Sequence, residues 1–252
     1  SGNINEYTAA GQENQLEVVR KRSPGHSDHQ PIILTLKSYI MPEQLPSPFP
    51  FLPEYIFTDI DDTLTWNGQL PASTFSALYA LKERGINVVP VTGACSAWCD
   101  CIARTWPVST VIGENGAVIL CSENGYSIEY INDTKTIADN RSRLSLVVEK
   151  VARQVPEARL THDTAYRLTD IAFDIGQDHV MTRDQGAKIA EICRSCGANV
   201  RMSSIHINVW YGAHSKATTT ALLLHRRNIP VEKTIFVGDS PNDEDMFKML
   251  DT

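Results

Sequence analysis

An α/β fold, a Rossmann-like parallel sheet core with an inserted α+β domain, is the architecture the sequence predicts. Three observations carry it. Short apolar runs alternate with amphipathic helical stretches, the pattern of a parallel sheet with crossover helices. Several of those runs end directly in carboxylates or in Thr-Gly and Gly-Glu-Asn-Gly turns. The texture changes from residue 125 and returns to the first pattern at 212. The expected organisation is an N-terminal extension and proline-rich linker over 1–50, a discontinuous core over 51–124 and 212–252, and an inserted α+β domain over 125–211.

The composition bounds what such a fold can do. The 252 residues are 42% hydrophobic and 21% charged, ordinary for a globular chain, with a formal net charge of -7. An acidic balance without a basic face argues against nucleic acid or an anionic membrane as partner. The one compact basic run, Arg20-Lys21-Arg22, reads as a solvated tail. No apolar stretch approaches the length of a membrane span. The cysteines at 95, 99, 101, 121, 193 and 196 are not spaced as a small disulfide scaffold. Packed or surface thiols in a reducing compartment are the expectation, hence a cytoplasmic location.

Residues 1–50 carry no motif beyond a β-like run at 33–36, and Met41 to Pro53 holds five prolines, which block helix and sheet interiors. Tyr55-Ile56-Phe57 then reads as a buried strand that opens into Asp59, Asp61 and Asp62. On an extended chain Asp59, Asp61 and Thr63 share one side. Like charges so close repel and raise a carboxyl pKa unless a cation compensates. Trp66-Asn67-Gly68 is a turn. Ser73 to Arg84 has helical spacing, with Phe75, Leu78 and Leu81 on one face and Gly85 closing it. Asn87 to Val91 is a strand ending in Thr92-Gly93. Ser96 to Trp106 is a helix. Val111-Ile112 is a strand ending in Gly113-Glu114-Asn115-Gly116. Ligands of such sheets bind beyond the carboxyl ends of the strands, where Asp59, Asp61, Thr92 and Asn115 all fall.

In the inserted stretch, Ser127 to Ile131 reads as a strand and Asp139 to Val155 as a helix. Ile171 to Ile175 is a strand, and Thr182 to Cys196 is a helix opened by a Thr182-x-x-Gln185 capping box. Val200 to Ser203 and Ile205 to Tyr211 follow as strands. Ser204, His206, Asn208 and Trp210 share one polar face of the last strand, which must look at water or a ligand. The first pattern then resumes. Lys216 occupies the first turn of a helix running to about Arg227, a place for a cation that makes sense if it faces anions. Thr234 to Val237 is a strand ending in Gly238-Asp239-Ser240-Pro241-Asn242-Asp243.

Asp59, Asp61, Asp239 and Asp243 thus converge on strand ends with one lysine. Hard oxygen donors without His or Cys suit Mg²⁺. A carboxylate can act as nucleophile, and a second acid two residues on can protonate a leaving oxygen and activate water. Phosphoryl transfer needs little more than positioning and charge neutralisation.

In order and spacing, Asp59-x-Asp61-x-Thr63, Thr92, Lys216 and Gly238-Asp239-x-x-Asn242-Asp243 resemble the motifs of the haloacid dehalogenase superfamily of phosphatases. The inserted domain and Gly113-Glu114-Asn115-Gly116-Ala117 resemble its subclass IIB, with a C2-type cap and sugar-phosphate phosphatases among its members. The resemblance covers about residues 54–250. It implies Asp59 as nucleophile and Asp61 as general acid/base, with Thr63 and Asn242 in support. It places Thr92 and Lys216 on the phosphoryl oxygens, and Asp59, the Asp61 carbonyl, Asp239 and Asp243 on Mg²⁺. Asp61 points to phosphate esters, since the dehalogenase branch lacks that acid. Family members usually continue past the last motif through another strand and helix, where this sequence stops at Thr252.

The expectation is therefore a Mg-dependent hydrolase of a small phosphorylated metabolite, a sugar phosphate, acting through an aspartyl phosphate. Asn115, His206 and Asn208 are the candidate substrate contacts, with a pocket around Arg167 and Asn115 as the alternative location. A phosphomutase of the phosphomannomutase type would use the same two aspartates. A non-catalytic binding module would be expected to have lost one of the acids.

Overall fold

The computed structural model describes residues 51–123, 125–239 and 243–250. The expectations for residues 1–50 and for Asn242 lie outside the described residues. In chain order the elements of the first unit are β1 (Tyr55–Thr58), α1 (Ala72–Glu83), β2 (Asn87–Pro90), α2 (Ser96–Thr105), β3 (Thr110–Gly113), β4 (Val118–Cys121) and β5 (Ser127–Tyr130). A second layered unit follows, made of α3 (Thr134–Gln154), β6 (Arg159–Leu160), β7 (Ile171–Asp174), α4 (Arg183–Ser195), β8 (Asn199–Met202) and β9 (His206–Trp210). The chain then returns with α5 (Lys216–Arg227), β10 (Thr234–Val237) and α6 (Glu244–Leu250).

β1 lies between β10 and β2, parallel to both, with Tyr55 opposite Thr234 and Asn87. A parallel bridge from Val91 to Ile112 carries the sheet on to β3, where β4 and β5 add antiparallel strands. Period-two alternation divides the sheet's apolar residues between two layers. Phe57, Val89, Val91 and Ile112 pack with Leu223, Leu224 and Met246 on one side. Val88 and Val111 pack with Leu78, Ile102 and Ala103 on the other. Burial on both faces is why these strands read as continuous apolar runs.

The second unit is an antiparallel sheet in the order β6-β7-β9-β8. Leu144, Val147 and Val151 of α3 and Ile189, Ala190 and Cys193 of α4 cover Phe173, Ile207 and Val209 on one of its faces. The expected capping box forms: Thr182 Oγ1 accepts from Gln185 N and the Gln185 side chain accepts from Thr182 N. The long helix begins earlier than the apolar spacing indicated, because Asp133 caps it and accepts from Thr136 N at 2.9 Å. β5, at the start of the stretch assigned to the cap, pairs with β4 of the first unit. The apolar core of the second unit draws on Leu144 to Tyr211.

Candidate active site

The site forms where β1, β10 and α5 bring their ends together. β1 stops at Thr58. Asp59 stays in line through its N–H, which donates to Val237 O at 2.9 Å, and its Oδ1 accepts from Ile60 N at 2.8 Å. The chain then turns over residues 61–64, with Asp62 at a left-handed φ of 57°. The extended alternation that would set Asp59, Asp61 and Thr63 on one side thus ends before Asp61. Asp59 is buried and Asp61 is exposed. Thr63 Oγ1 donates to Asp239 Oδ1 at 3.1 Å, tying this turn to the loop after β10.

Lys216 is the first residue of α5, whose N-cap Ser215 accepts from Thr218 N. Its buried ammonium lies 3.0 Å from Asp59 Oδ2 and 2.8 Å from Asp243 Oδ1. The cation at a helix N-terminus does face anions. Burial opposes its charge, but Asp59 and Asp243 outweigh that and hold its pKa above the ordinary lysine value. Burial pushes Asp59 the other way, up to about 6, with Lys216 lowering it and Asp243 raising it. Asp61 is also raised, first by the protein packed around it and then by Asp62, although its side chain reaches solvent.

Carboxylate oxygens of Asp59, Asp239 and Asp243 all lie within 4.8 Å of one another. Asp243 Oδ2 is buried without a hydrogen-bond partner among the described residues. A cation resolves both the mutual repulsion and the orphaned oxygen, and hard oxygen donors suit Mg²⁺. The residues present therefore fit that ion. Thr92 is fully buried, and its Oγ1 accepts from Ala94 N at 3.0 Å.

Of the candidate substrate residues, those on β9 are placed differently from the expectation of a face open to water or a ligand. On the polar face of β9, Asn208 is turned onto protein, while Trp210 bonds protein through its indole N–H and borders a cleft beside Lys216. Asn208 Nδ2 donates to Gly93 O at 3.3 Å and to Asp170 Oδ2 at 3.4 Å, and Trp210 Nε1 donates to His214 O at 3.1 Å. His206 is half-buried, its Nε2 has no partner among the described residues, and burial followed by the nearby Arg167 charge lowers its pKa. Asn115 is buried, donates to Asp170 Oδ2 at 3.2 Å, and also lines a small cleft with Trp210, Arg201, Ser215, Lys216 and Met246. Alternation told which residues of β9 share a face, but not what covers it.

Two buried groups at the junction of the units were missed. Glu114, fully buried, accepts from Ser96 N and Oγ, Leu168 N, and Thr169 N and Oγ1 at 2.5–3.0 Å. Asp170, also fully buried, is pushed up to about 7 by burial, against the lowering effect of Arg167. The only sequence signal near them is Gly113-Glu114-Asn115-Gly116, where Glu114 and Asn115 take left-handed φ values of 44° and 56°.

The family model for haloacid dehalogenase-like hydrolases matches residues 56–140 and 130–252. The chain belongs to that family. It is 27% identical over 190 residues to a phosphoglycolate phosphatase of Methanothermobacter thermautotrophicus, covering 75% of this chain and 78% of the relative. Among solved structures, a Thermoplasma acidophilum protein superposes with TM-score 0.65 at 16% identity, covering 79% of this chain and 82% of the other. The sucrose-phosphatase of Synechocystis, solved with sucrose and phosphate, superposes with TM-score 0.57 at 15% identity, covering 79% and 81%. These two likenesses establish the fold. In this hydrolase the parallel sheet is the core, and the β6-β7-β9-β8 sheet with α3 and α4 takes the place of the cap.

Proposed function

We propose that this hydrolase is a Mg²⁺-dependent phosphatase of small phosphate monoesters, with Asp59 as nucleophile. The observation that carries the reading is the setting of Asp59: buried, 3.0 Å from the Lys216 ammonium, and grouped with Asp239 and Asp243. The curated relative's name supports phosphate-ester chemistry.

Asp59 Oδ attacks phosphorus as the ester P–O bond breaks, and Asp61 gives its proton to the leaving oxygen. A carboxyl whose pKa is raised, as that of Asp61 is, holds a proton closer to neutrality than a free aspartate does. Asp61 then takes a proton from water, whose oxygen attacks the aspartyl phosphate and frees phosphate and Asp59. Lys216 and Thr92 hold the phosphoryl oxygens. Asp59, the Asp61 carbonyl, Asp239 and Asp243 would hold magnesium, which supplies charge neutralisation for the phosphoryl group.

The substrate is a sugar phosphate or a phosphorylated hydroxy acid, with its non-phosphate part toward the cleft that Asn115 and Trp210 line beside Lys216. The relatives named for phosphoglycolate and sucrose phosphate bracket that range. Turnover of an aryl phosphate, a set of hexose phosphates and 2-phosphoglycolate tests it. Asp59→Asn and excess EDTA should each abolish turnover of all of them. Wild-type rates in either condition would overturn the mechanism.

A further inference from the structure

A buried polar seam between the two units meets the chain next to Thr92 at the carbonyl of Gly93. Thr92, Gly93 and Ala94 present three carbonyls in a row. Those of Thr92 and Ala94 accept from Asn115 N and Glu114 N at 3.1 Å, both inside the first unit. That of Gly93 accepts from Arg167 Nη1 at 3.0 Å and Asn208 Nδ2 at 3.3 Å, both from the second unit.

Arg167 is 2% exposed, and its guanidinium is clamped. Nε and Nη2 donate to the two oxygens of Asp163 at 3.0 and 2.9 Å, and Nη1 also donates to Asp170 at 3.1 and 3.2 Å. Asp170 in turn accepts from Asn115 Nδ2 and Asn208 Nδ2. Gly93 is packed from both units: a Cβ there would lie 3.1 Å from Asn115 Oδ1 and 3.2 Å from Asn208 Oδ1.

Buried ions are a costly adhesive, since apolar side chains of similar volume often hold as well or better. Charged, forked donors add direction, because the guanidinium plane fixes where each N–H points. Here one such N–H points at the carbonyl beside Thr92. We propose that Arg167, assisted by Asn208, is a positioning residue for the phosphate-binding segment Thr92–Gly93, so that the second unit sets the geometry in which phosphate is bound. The inference rests on the reading of Thr92 as a phosphoryl contact. It makes phosphate affinity depend on residues that touch no part of the substrate.

The test is calorimetric binding of inorganic phosphate to the full chain in excess magnesium, a readout separate from turnover. Asp59→Asn in the hydrolysis assay decides the function by itself. Arg167→Gln removes a charged donor and should weaken phosphate binding by about tenfold or more. Arg167→Lys should recover part of the loss, since an ammonium can reach the carbonyl but cannot fork onto both aspartates. Val147→Ala, in the apolar core of the second unit, controls for loss of stability and should lower Tm while leaving phosphate affinity unchanged. Should Arg167→Gln not fold, Asn208→Ala still removes one donor to Gly93 O and should cost about threefold. Wild-type phosphate affinity in Arg167→Gln, or in Asn208→Ala where the first does not fold, overturns the proposal. So does an equal loss of affinity in Val147→Ala.

Discussion

Lys216 neutralises two buried carboxylates from one position, 2.8 Å from Asp243 and 3.0 Å from Asp59. Truncating it leaves both acids buried without their shared cation, a change that costs about 3–5 kcal/mol when a buried pair is broken. Lys216→Met should therefore lower the unfolding free energy of the metal-free protein at neutral pH by that order, read as a fall in the urea midpoint. Added magnesium should recover part of it, because the ion meets the same two acids. No change in the midpoint would show that the close contacts do not carry stabilising charge. The grouping of Asp59, Lys216, Asp239 and Asp243 was legible because each follows a strand end or opens a helix, and those ends meet in a parallel sheet. Asp61 was harder: the period-two argument assumed an extended chain where the backbone turns. Arg167 was visible only as an alternative pocket residue, because its partners lie 74 residues away at Gly93 as well as three and four residues away.

Among the elements, the approach of the Gly113-Glu114-Asn115-Gly116 turn to α5 is the tightest constraint on where Lys216 sits. Gly116 has φ +99°, and a Cβ there would fall 2.2 Å from Ser215 O, the N-cap of α5. Thr219 Oγ1 closes the contact by donating to Gly116 O at 2.6 Å. Gly116→Ala must strain the turn, push the start of α5 away, or both, and a backbone clash of this kind belongs to the large destabilising effects. The expected outcome is a fall in stability of more than about 2 kcal/mol, with a lower kcat on an aryl phosphate in whatever fraction stays folded. A variant as stable and active as wild type would show that the helix end is free to move. The helices were readable from apolar spacing, but this contact was not, since nothing in a Gly-Glu-Asn-Gly string says which helix end it will meet. β4 was missed for a related reason: Val118–Cys121 is too short to separate from the turn before it.

For the molecule as a whole, the acid cluster couples folding, protons and metal. Asp59 has a folded pKa of about 6 against an ordinary 3.8, so between those values the folded state holds a proton that the unfolded chain has released. Its contribution is fully present below about 3.8 and is lost as pH rises through about 6, a span of roughly 3 kcal/mol. Above that pH the metal-free protein keeps an ionised buried acid at a cost, and there magnesium has most to offset. Below it, the ion competes with the proton for the same oxygen. Binding to the folded state alone raises stability by RT ln(1 + [L]/Kd), so the thermal shift reports that competition. The increase in Tm on going from EDTA to millimolar magnesium should therefore be large at pH 8 and shrink as pH falls through about 6. In Asp59→Asn, which has no proton to exchange at that position, the shift should be smaller at pH 8 and flatter with pH. A magnesium shift that is constant from pH 5 to 8 in the wild type would separate the metal from Asp59 and leave Asp239 and Asp243 as its holders.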